Sequence, residues 1–374
     1  MGHFYYHAIK NVGDPTLLPS EDFLKNVIHT HIHGTLDGNT HFPLTEEYEL
    51  PIESYVDALG IGYEGLYNLE LEPPRFADRM EAAPAVLESV RTLTAAVSYR
   101  RMLLNDIEAH FVERMRAAVS VWDGNDNAVS QMNCSSYCLR YAGVNIAVDP
   151  SIRMAMQLTD AAEHLKECFK KAQYILISHE HDDHFEKETV EKLRGTGMVW
   201  VIPYYLADQA HCFGLSDSEI LWAYDREPLT LDGVTVTPFA SRHYRHGTKK
   251  GVAEYGYYFT APGAPSLLFP GDIRDYSVET MPEGFRGVDW LFAHVWLGDF
   301  VCLKTHYEPY DSEMTAFMTA FEPKNVIFGH IYESGRRDTA LWRREHAEYI
   351  GDCIRAARPG TRTFVLPAGE TLKL

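Results

Sequence analysis

The 374-residue chain lacks most of what would commit it to a membrane, a secretory route or a nucleic acid. No apolar run approaches the roughly 20 residues needed to cross a bilayer. The stretch MGHFYYHAIKN has neither the basic nor the apolar region of a signal peptide. Tyr6 stands where a myristoylation motif wants Ser or Thr. No internal repeat or low-complexity tract is present. A soluble, cytoplasmic protein is the expectation. The six cysteines, Cys134, Cys138, Cys168, Cys212, Cys302 and Cys353, form no CxxC pair. That disfavours a zinc-finger site and a disulfide framework, and leaves reduced, mostly buried thiols. The two cysteines of CSSYC are expected in a strand. Positive charge is also scarce, with 34 Lys and Arg against 53 Asp and Glu, a net charge of -19. Such a field repels phosphate backbones, so nucleic acid is disfavoured as a partner and a small molecule is expected instead. The basic run SRHYRHGTKKG (241–251) reads as a solvated loop or as a contact for an anionic substrate.

What is present supports a large core: 45% of residues are hydrophobic. Residues 1–128 read differently from 129–374, which suggests an irregular and helical cap region followed by a catalytic domain. Between Pro84 and Ser120, Val90, Leu93, Val97, Leu104, Ile107, Phe111, Met115 and Ala118 recur at helical spacing. That stripe predicts one amphipathic helix or a pair. It suits packing on a neighbouring core, and could equally bury against a second subunit, so a homo-oligomer stays open.

After the turn-rich WDGNDN (122–127) the chain alternates strands and helices. CSSYCLRYAG and VNIAVDP predict a strand pair turning at Gly143. DAAEHLKECFKKA and ETVEKLRGTG predict helices, the first with Asp160 as N-cap and the second closed by glycine. YILIS, MVWVIP, LDGVTVTPFA, VDWLFAH and KNVIFGH predict strands, and YGYYFTAPGAPSLLFPGD a pair of them. SEMTAFMTAF predicts a helix. Alternating short apolar strands and helices indicate an α/β domain with helices outside sheets.

Several of these strands run into a metal-competent residue. YILIS leads to His179, VTVTPFA to His243, LLFPG to Asp272 and VIFG to His330. In α/β folds such strand ends gather at one place. The densest stretch is ISHEHDDHF (177–185), with His179, His181, Asp183 and His184. Imidazole and carboxylate donors suit zinc, manganese or iron. His179 and His181 alternate, so from an extended segment they point the same way. Asp183 and His184 then need a turn to face a second ion. Seven ligands, His179, His181, Asp183, His184, His243, Asp272 and His330, suffice for two divalent ions. His243 directly follows its strand and is preferred over His246.

HEHDDH resembles the metal-binding signature of the metallo-β-lactamase superfamily. SSYCLRYAGVNIAVDP resembles the opening strand pair of that fold, with Asp149 at its aspartate. FASRH, LLFPGD and VIFGH resemble the segments that bring the third histidine, the bridging aspartate and the last histidine. The resemblance covers about 129–374 and implies a four-layer αββα sandwich. It implies that His179, His181 and His243 hold one metal, that Asp183, His184 and His330 hold the other, and that Asp272 bridges. It further implies hydrolysis by a metal-bound hydroxide, with Asp183 orienting it or taking its proton, and two divalent ions, zinc first and manganese or iron as alternatives. An aspartate rather than a cysteine at the bridging place points to the wider hydrolase group. A phosphodiester or other anionic ester leads the candidate substrates, ahead of a lactone, thioester or amide. An iron-dependent oxidoreductase or dioxygenase on the same fold is the reading of another class. His294 and His306 match histidines of an RNase Z-like region, but Val295 stands where its glutamate should be. His306 remains a candidate catalytic residue that donates a hydrogen bond to substrate or leaving group.

A second histidine-rich stretch, KNVIHTHIHGTLDGNTHF (25–42), places His29, His31 and His33 in alternation. THIHG weakly resembles the first metal motif of amidohydrolases, but the later ligands that a barrel would need are already accounted for by the other fold. It reads either as a solvated loop or as polar residues near the active-site mouth.

Overall fold

The computed structural model describes residues 27–36, 39–44, 65–78, 81–152, 161–244, 251–278, 284–298, 307–333 and 341–374, with the single positions Ile52, Val56, Leu59, Tyr63 and Cys302. Asp160, His246 and His306 lie outside the described residues. Two compact units emerge, Met1–Asp106 and Ile107–Leu374.

In the first unit, strands form where the sequence looked irregular. Strand β1 (His29–Ile32) precedes β2 (Gly34–Leu36) and β3 (Asn39–Phe42), and β4 (Leu66–Leu69) follows. β1 pairs in parallel with β4, and β2 pairs antiparallel with β3. Ile32, Leu44, Ile52, Val56 and Leu93 form one small core; Phe42, Phe76 and Ala85 form another. Helix α1 (Ala82–Val119) is a single helix that begins in the first unit and ends in the second. Its buried stripe differs from the expected one. Leu93, Phe111, Met115 and Ala118 are buried, but Val90 is 45% exposed. The stripe enters instead through Ala85 and Ser89 at steps of four. Ser89 tolerates burial because its hydroxyl donates to Ala85 O and accepts from the Leu44 N–H, both at 2.8 Å.

The second unit holds two seven-stranded sheets. Its elements run β5 (Ala128–Asn133), β6 (Ser136–Tyr141), β7 (Val144–Val148), α2 (Ala161–Phe169), β8 (Tyr174–Leu176), α3 (Lys187–Leu193), β9 (Val199–Pro203), α4 (Ala207–Cys212) and β10 (Ile220–Ala223). There follow β11 (Leu229–Leu231), β12 (Val234–Ala240), β13 (Tyr255–Thr260), β14 (Leu267–Phe269), β15 (Trp290–His294), α5 (Tyr310–Ala320), β16 (Asn325–Gly329), α6 (Arg344–Ala357), β17 (Arg362–Val365) and β18 (Thr371–Lys373). One sheet is ordered β10-β9-β8-β7-β6-β5-β18, the other β11-β12-β13-β14-β15-β16-β17. The β6–β7 turn has Ala142 and Gly143 both at positive φ, 48° and 86°, as a tight two-residue hairpin demands. Cys134 sits in the preceding turn at φ 39° rather than in a strand; only Cys138 of that pair is on β6. All six cysteines are free.

The period of two decides which core each side chain enters. Leu267, Phe269, Trp290, Phe292 and Ile327 face the other sheet, where they meet Leu139, Ile146, Leu176 and Val201. Their chain neighbours Leu268, Leu291, Ala293, Val326 and Phe328 pack outward against Met314, Phe317 and Phe321 of the α5 region and Ile350 and Ile354 of α6. Strands buried on both faces explain the unbroken apolar runs in the sequence. The architecture is the expected αββα sandwich.

Strand direction then sets the place of the site. β7, β8 and β9 are mutually parallel, as are β14, β15 and β16. β12 runs antiparallel to β13, and β13 antiparallel to β14, so β12 points the same way as β14. The C-terminal ends of these strands therefore emerge along shared sheet edges.

Candidate metal centre

The residues that leave those edges converge on two donor groups. The ligand atoms of His179, His181 and His243 lie within 4.8 Å of one another, and so do those of Asp183, His184, Asp272 and His330. All seven expected ligands are thus brought together. Ring centroids in the first group are 4.7–4.9 Å apart, and His179 Nε2 is 3.1 Å from His181 Nδ1. In the second group, Asp272 Oδ2 is 3.0 Å from His330 Nε2 and 3.2 Å from His184 Nε2. Asp183 Oδ2 is 3.3 Å and 3.6 Å from the same two nitrogens. A tetrahedral ion with bonds of about 2.1 Å separates its donors by about 3.4 Å. The spacing therefore suits donors aimed at a common centre.

A further sign is that Nε2 of His184, His243 and His330 is buried with no aligned hydrogen-bond partner among the described residues. Buried polar atoms are rarely left so without a reason. A cation would satisfy them, so the donor set fits a metal.

Of the backing of these side chains, only Asp149 was singled out by the sequence. Asp149, at φ 46° just past β7, accepts from the Ser178 N–H and hydroxyl at 2.7 Å each and from His184 Nδ1 at 2.9 Å. That hydrogen bond turns the Nε2 lone pair of His184 toward the centre. His179 Nδ1 meets Ser178 Oγ at 2.9 Å and Glu254 Oε1 at 3.2 Å. Glu254 also accepts from the Asp272 N–H at 2.6 Å. Gly271, at φ 88°, gives Glu254 its room, because a Cβ there would collide with the carboxylate. His294, the last residue of β15, donates through Nδ1 to Asp272 Oδ1. Glu254 has no motif to announce it; the only hint is a lone carboxylate opening an apolar strand.

Electrostatics distinguish the two groups. Burial pushes His179 well below its usual range, lowers His181, and takes His243 down to about 4. These rings are held neutral, with lone pairs ready for a ligand. For His184, burial is outweighed by the Asp272, Asp183 and Asp149 carboxylates, which raise it well above the usual value. His330 is likewise lifted against burial, to about 10, by Asp272 and Asp183. Burial would raise Asp183 and Asp272, yet His184 and His330 hold both far below the carboxylate range. This group demands positive charge at its centre, which protons or a metal ion can supply. Glu254 is pushed up to about 7 by its burial.

Arg274 stands close enough to depress both His181 and His243, and its backbone N–H donates to Arg242 O at 2.9 Å. It lies outside the basic run 241–251, of which residues 245–250 are not among the described residues.

Comparison with known proteins agrees with this geometry. A family profile described as the β-lactamase superfamily domain matches residues 128–327, more than half of the chain. An uncharacterized protein of Methanocaldococcus jannaschii is 43% identical over 60 residues, which are 15% of this chain and 22% of that protein, so the match spans about a fifth of the relative's length. Among solved structures, a metallo hydrolase from the archaeon Ignicoccus hospitalis aligns over 67% of this chain and 99% of its own, with 18% identity and a TM-score of 0.50. A possible metal-dependent hydrolase from Veillonella parvula aligns over 67% and 100%, at 12% identity and a TM-score of 0.51. A variant of the β-hydroxylase CmlA aligns over 67% and 54%, at 16% and 0.51. Family profile, paired sheets and the histidine–aspartate strand ends all lead to one classification: the chain belongs to the β-lactamase superfamily and is an enzyme of the metallo-β-lactamase fold.

Proposed function

We propose that this enzyme is a dinuclear metal-dependent hydrolase, acting on a small anionic ester with a phosphodiester as the first candidate. The convergence of seven donor side chains from four strand ends carries the reading. His179, His181 and His243 would hold one ion, Asp183, His184 and His330 the second, and Asp272 would serve both. Zinc suits the donor set best, and manganese and iron tolerate it. Bound metal supplies Lewis acidity and water activation at neutral pH. We assign the chemistry to residues 129–374 and an accessory role to 1–128.

The remaining work falls to the chain. Asp183, held deprotonated beside His184 and His330, receives the proton of the attacking water and aligns it. His294 and Glu254 hold Asp272 and His179 in place from behind. Arg274 anchors the anionic group of the substrate, which is what favours an anionic ester over a neutral lactone, thioester or amide.

The test is hydrolysis of an aryl phosphodiester by protein loaded in turn with zinc, manganese or iron, beside an Asp183→Ala variant. Turnover that vanishes in the variant supports the reading. A fully metallated protein that leaves phosphodiesters intact but cleaves lactones or thioesters overturns the substrate class.

A second reading has its own support. CmlA, which shares this fold, is a diiron β-hydroxylase from Streptomyces venezuelae. Oxygen uptake by the iron-loaded protein, without hydrolysis, would make that chemistry the better account.

A further inference from the structure

The first unit repeats the logic of the metal centre on a smaller scale. His33 lies at the junction of β1 and β2, His41 near the end of β3, and Glu70 immediately past β4. The backbone ties these three places together. The Glu70 N–H donates to Ile32 O at 2.9 Å, and the Glu72 N–H donates to His41 O at 3.0 Å. Ligand atoms of His33, His41 and Glu70 lie within 4.8 Å of one another. The two imidazoles stack at 4.6 Å between centroids, and His41 Nε2 is 3.5 Å from Glu70 Oε2.

Each ring is also oriented by its other nitrogen. His33 Nδ1 donates to Gly34 O at 3.2 Å, and His41 Nδ1 is 2.8 Å from Thr40 Oγ1, a residue that is itself buried. Ligating histidines are commonly held this way, with Nδ1 bound to the protein and the Nε2 lone pair directed at the ion. His31 Nδ1 sits 2.9 Å from Glu70 Oε2 and steadies the carboxylate. His41 adopts φ 73°, a left-handed conformation that non-glycine residues seldom keep without cause. Its ring stands over His33 from that position.

We propose that His33, His41 and Glu70 form a separate binding site for a zinc-type divalent ion, which would clamp the ends of β1, β3 and β4 together. Two imidazoles and a carboxylate are a known three-ligand set for zinc, with water completing the shell. Tetrahedral zinc sets its donors about 3.4 Å apart, so side-chain torsions would have to draw the present donors, now within 4.8 Å, closer together. Nothing in this site depends on the seven-ligand centre of the other unit.

The experiment uses the full-length chain, stripped with chelator and reloaded with Zn²⁺, with metal content read by elemental analysis. Introducing His41→Asn or Glu70→Gln into the otherwise native chain should remove one equivalent of zinc. Hydrogen exchange of 29–42 and 66–72 in the otherwise native chain should slow when Zn²⁺ is added. Equal zinc content with and without the His41 or Glu70 change, in protein of native circular dichroism, would overturn the site. Should those variants fail to fold, exchange in the unmodified chain decides: no protection of these segments by Zn²⁺ refutes the clamp.

Discussion

The two histidine clusters look alike as sequence and differ in what stands behind them. HEHDDH and HTHIH each alternate histidines along the chain, the first running from a bridge residue into a turn and the second along β1. The first is backed by the two-sheet core: His179 and His184 are fully buried, and Asp149, Ser178, Glu254 and His294 hold their neighbours. The second rests on two-stranded sheets, with the Glu70 side chain 41% exposed and that of His41 17% exposed. Burial turns the first cluster into strongly shifted acids and bases; at the second, Glu70 is lowered by its histidine neighbours against its slight burial. A ligand motif becomes a reactive site when a scaffold removes it from water.

The largest expected effect tests the deep cluster. Asp183→Asn should keep the shape and lose the proton acceptor, reducing the turnover of the metal-loaded enzyme by roughly 10²–10⁴-fold. Retained turnover would move the role of base elsewhere. Next comes the scaffold. Phe292 stacks on Phe269 at 3.8 Å between centroids, two residues before His294. Phe292→Ala should cost about 3–5 kcal/mol, read from the denaturant midpoint, because the site's backing loses a fully buried ring. A neutral result would mean the inter-sheet core does not support the centre.

Asp149→Asn should weaken metal binding by about 10–100-fold through the misoriented His184, with little change in fold stability by thermal melting. Metal uptake should also depend on pH at the deep cluster. His330 keeps a proton below about 10, and His184 is raised as well. A metal ion must displace those protons, so affinity should rise with pH, by about tenfold per unit for each proton released. A competition titration between pH 6 and 9 measures it; a flat profile would show that neither histidine is protonated in the metal-free chain. The smallest effect belongs to the shallow cluster. His31→Ala removes a half-exposed pair and should change stability by less than about 1 kcal/mol. A larger loss would mean that this cluster, too, rests on buried packing.

The sequence by itself determined the class of the fold and the identity of the converging donors. Short apolar strands have few alternatives to burial on both faces. Histidines and aspartates at strand ends have few uses as dense as metal binding. The first unit was less legible, because β1 to β4 are three or four residues long and polar, with too few positions to show a period. Val90 misled for the same reason: helical spacing marks a face, and only packing decides that Ser89 rather than Val90 enters the core. The return of β18 to pair with β5, on the sheet opposite β17, could not be read at all. Nor could Glu254 beneath Gly271, or His294 against Asp272. Periodicity and residue chemistry are local and survive in one dimension. Which carboxylate stands behind which histidine depends on two sheets meeting face to face, and that relation exists only once the chain has folded.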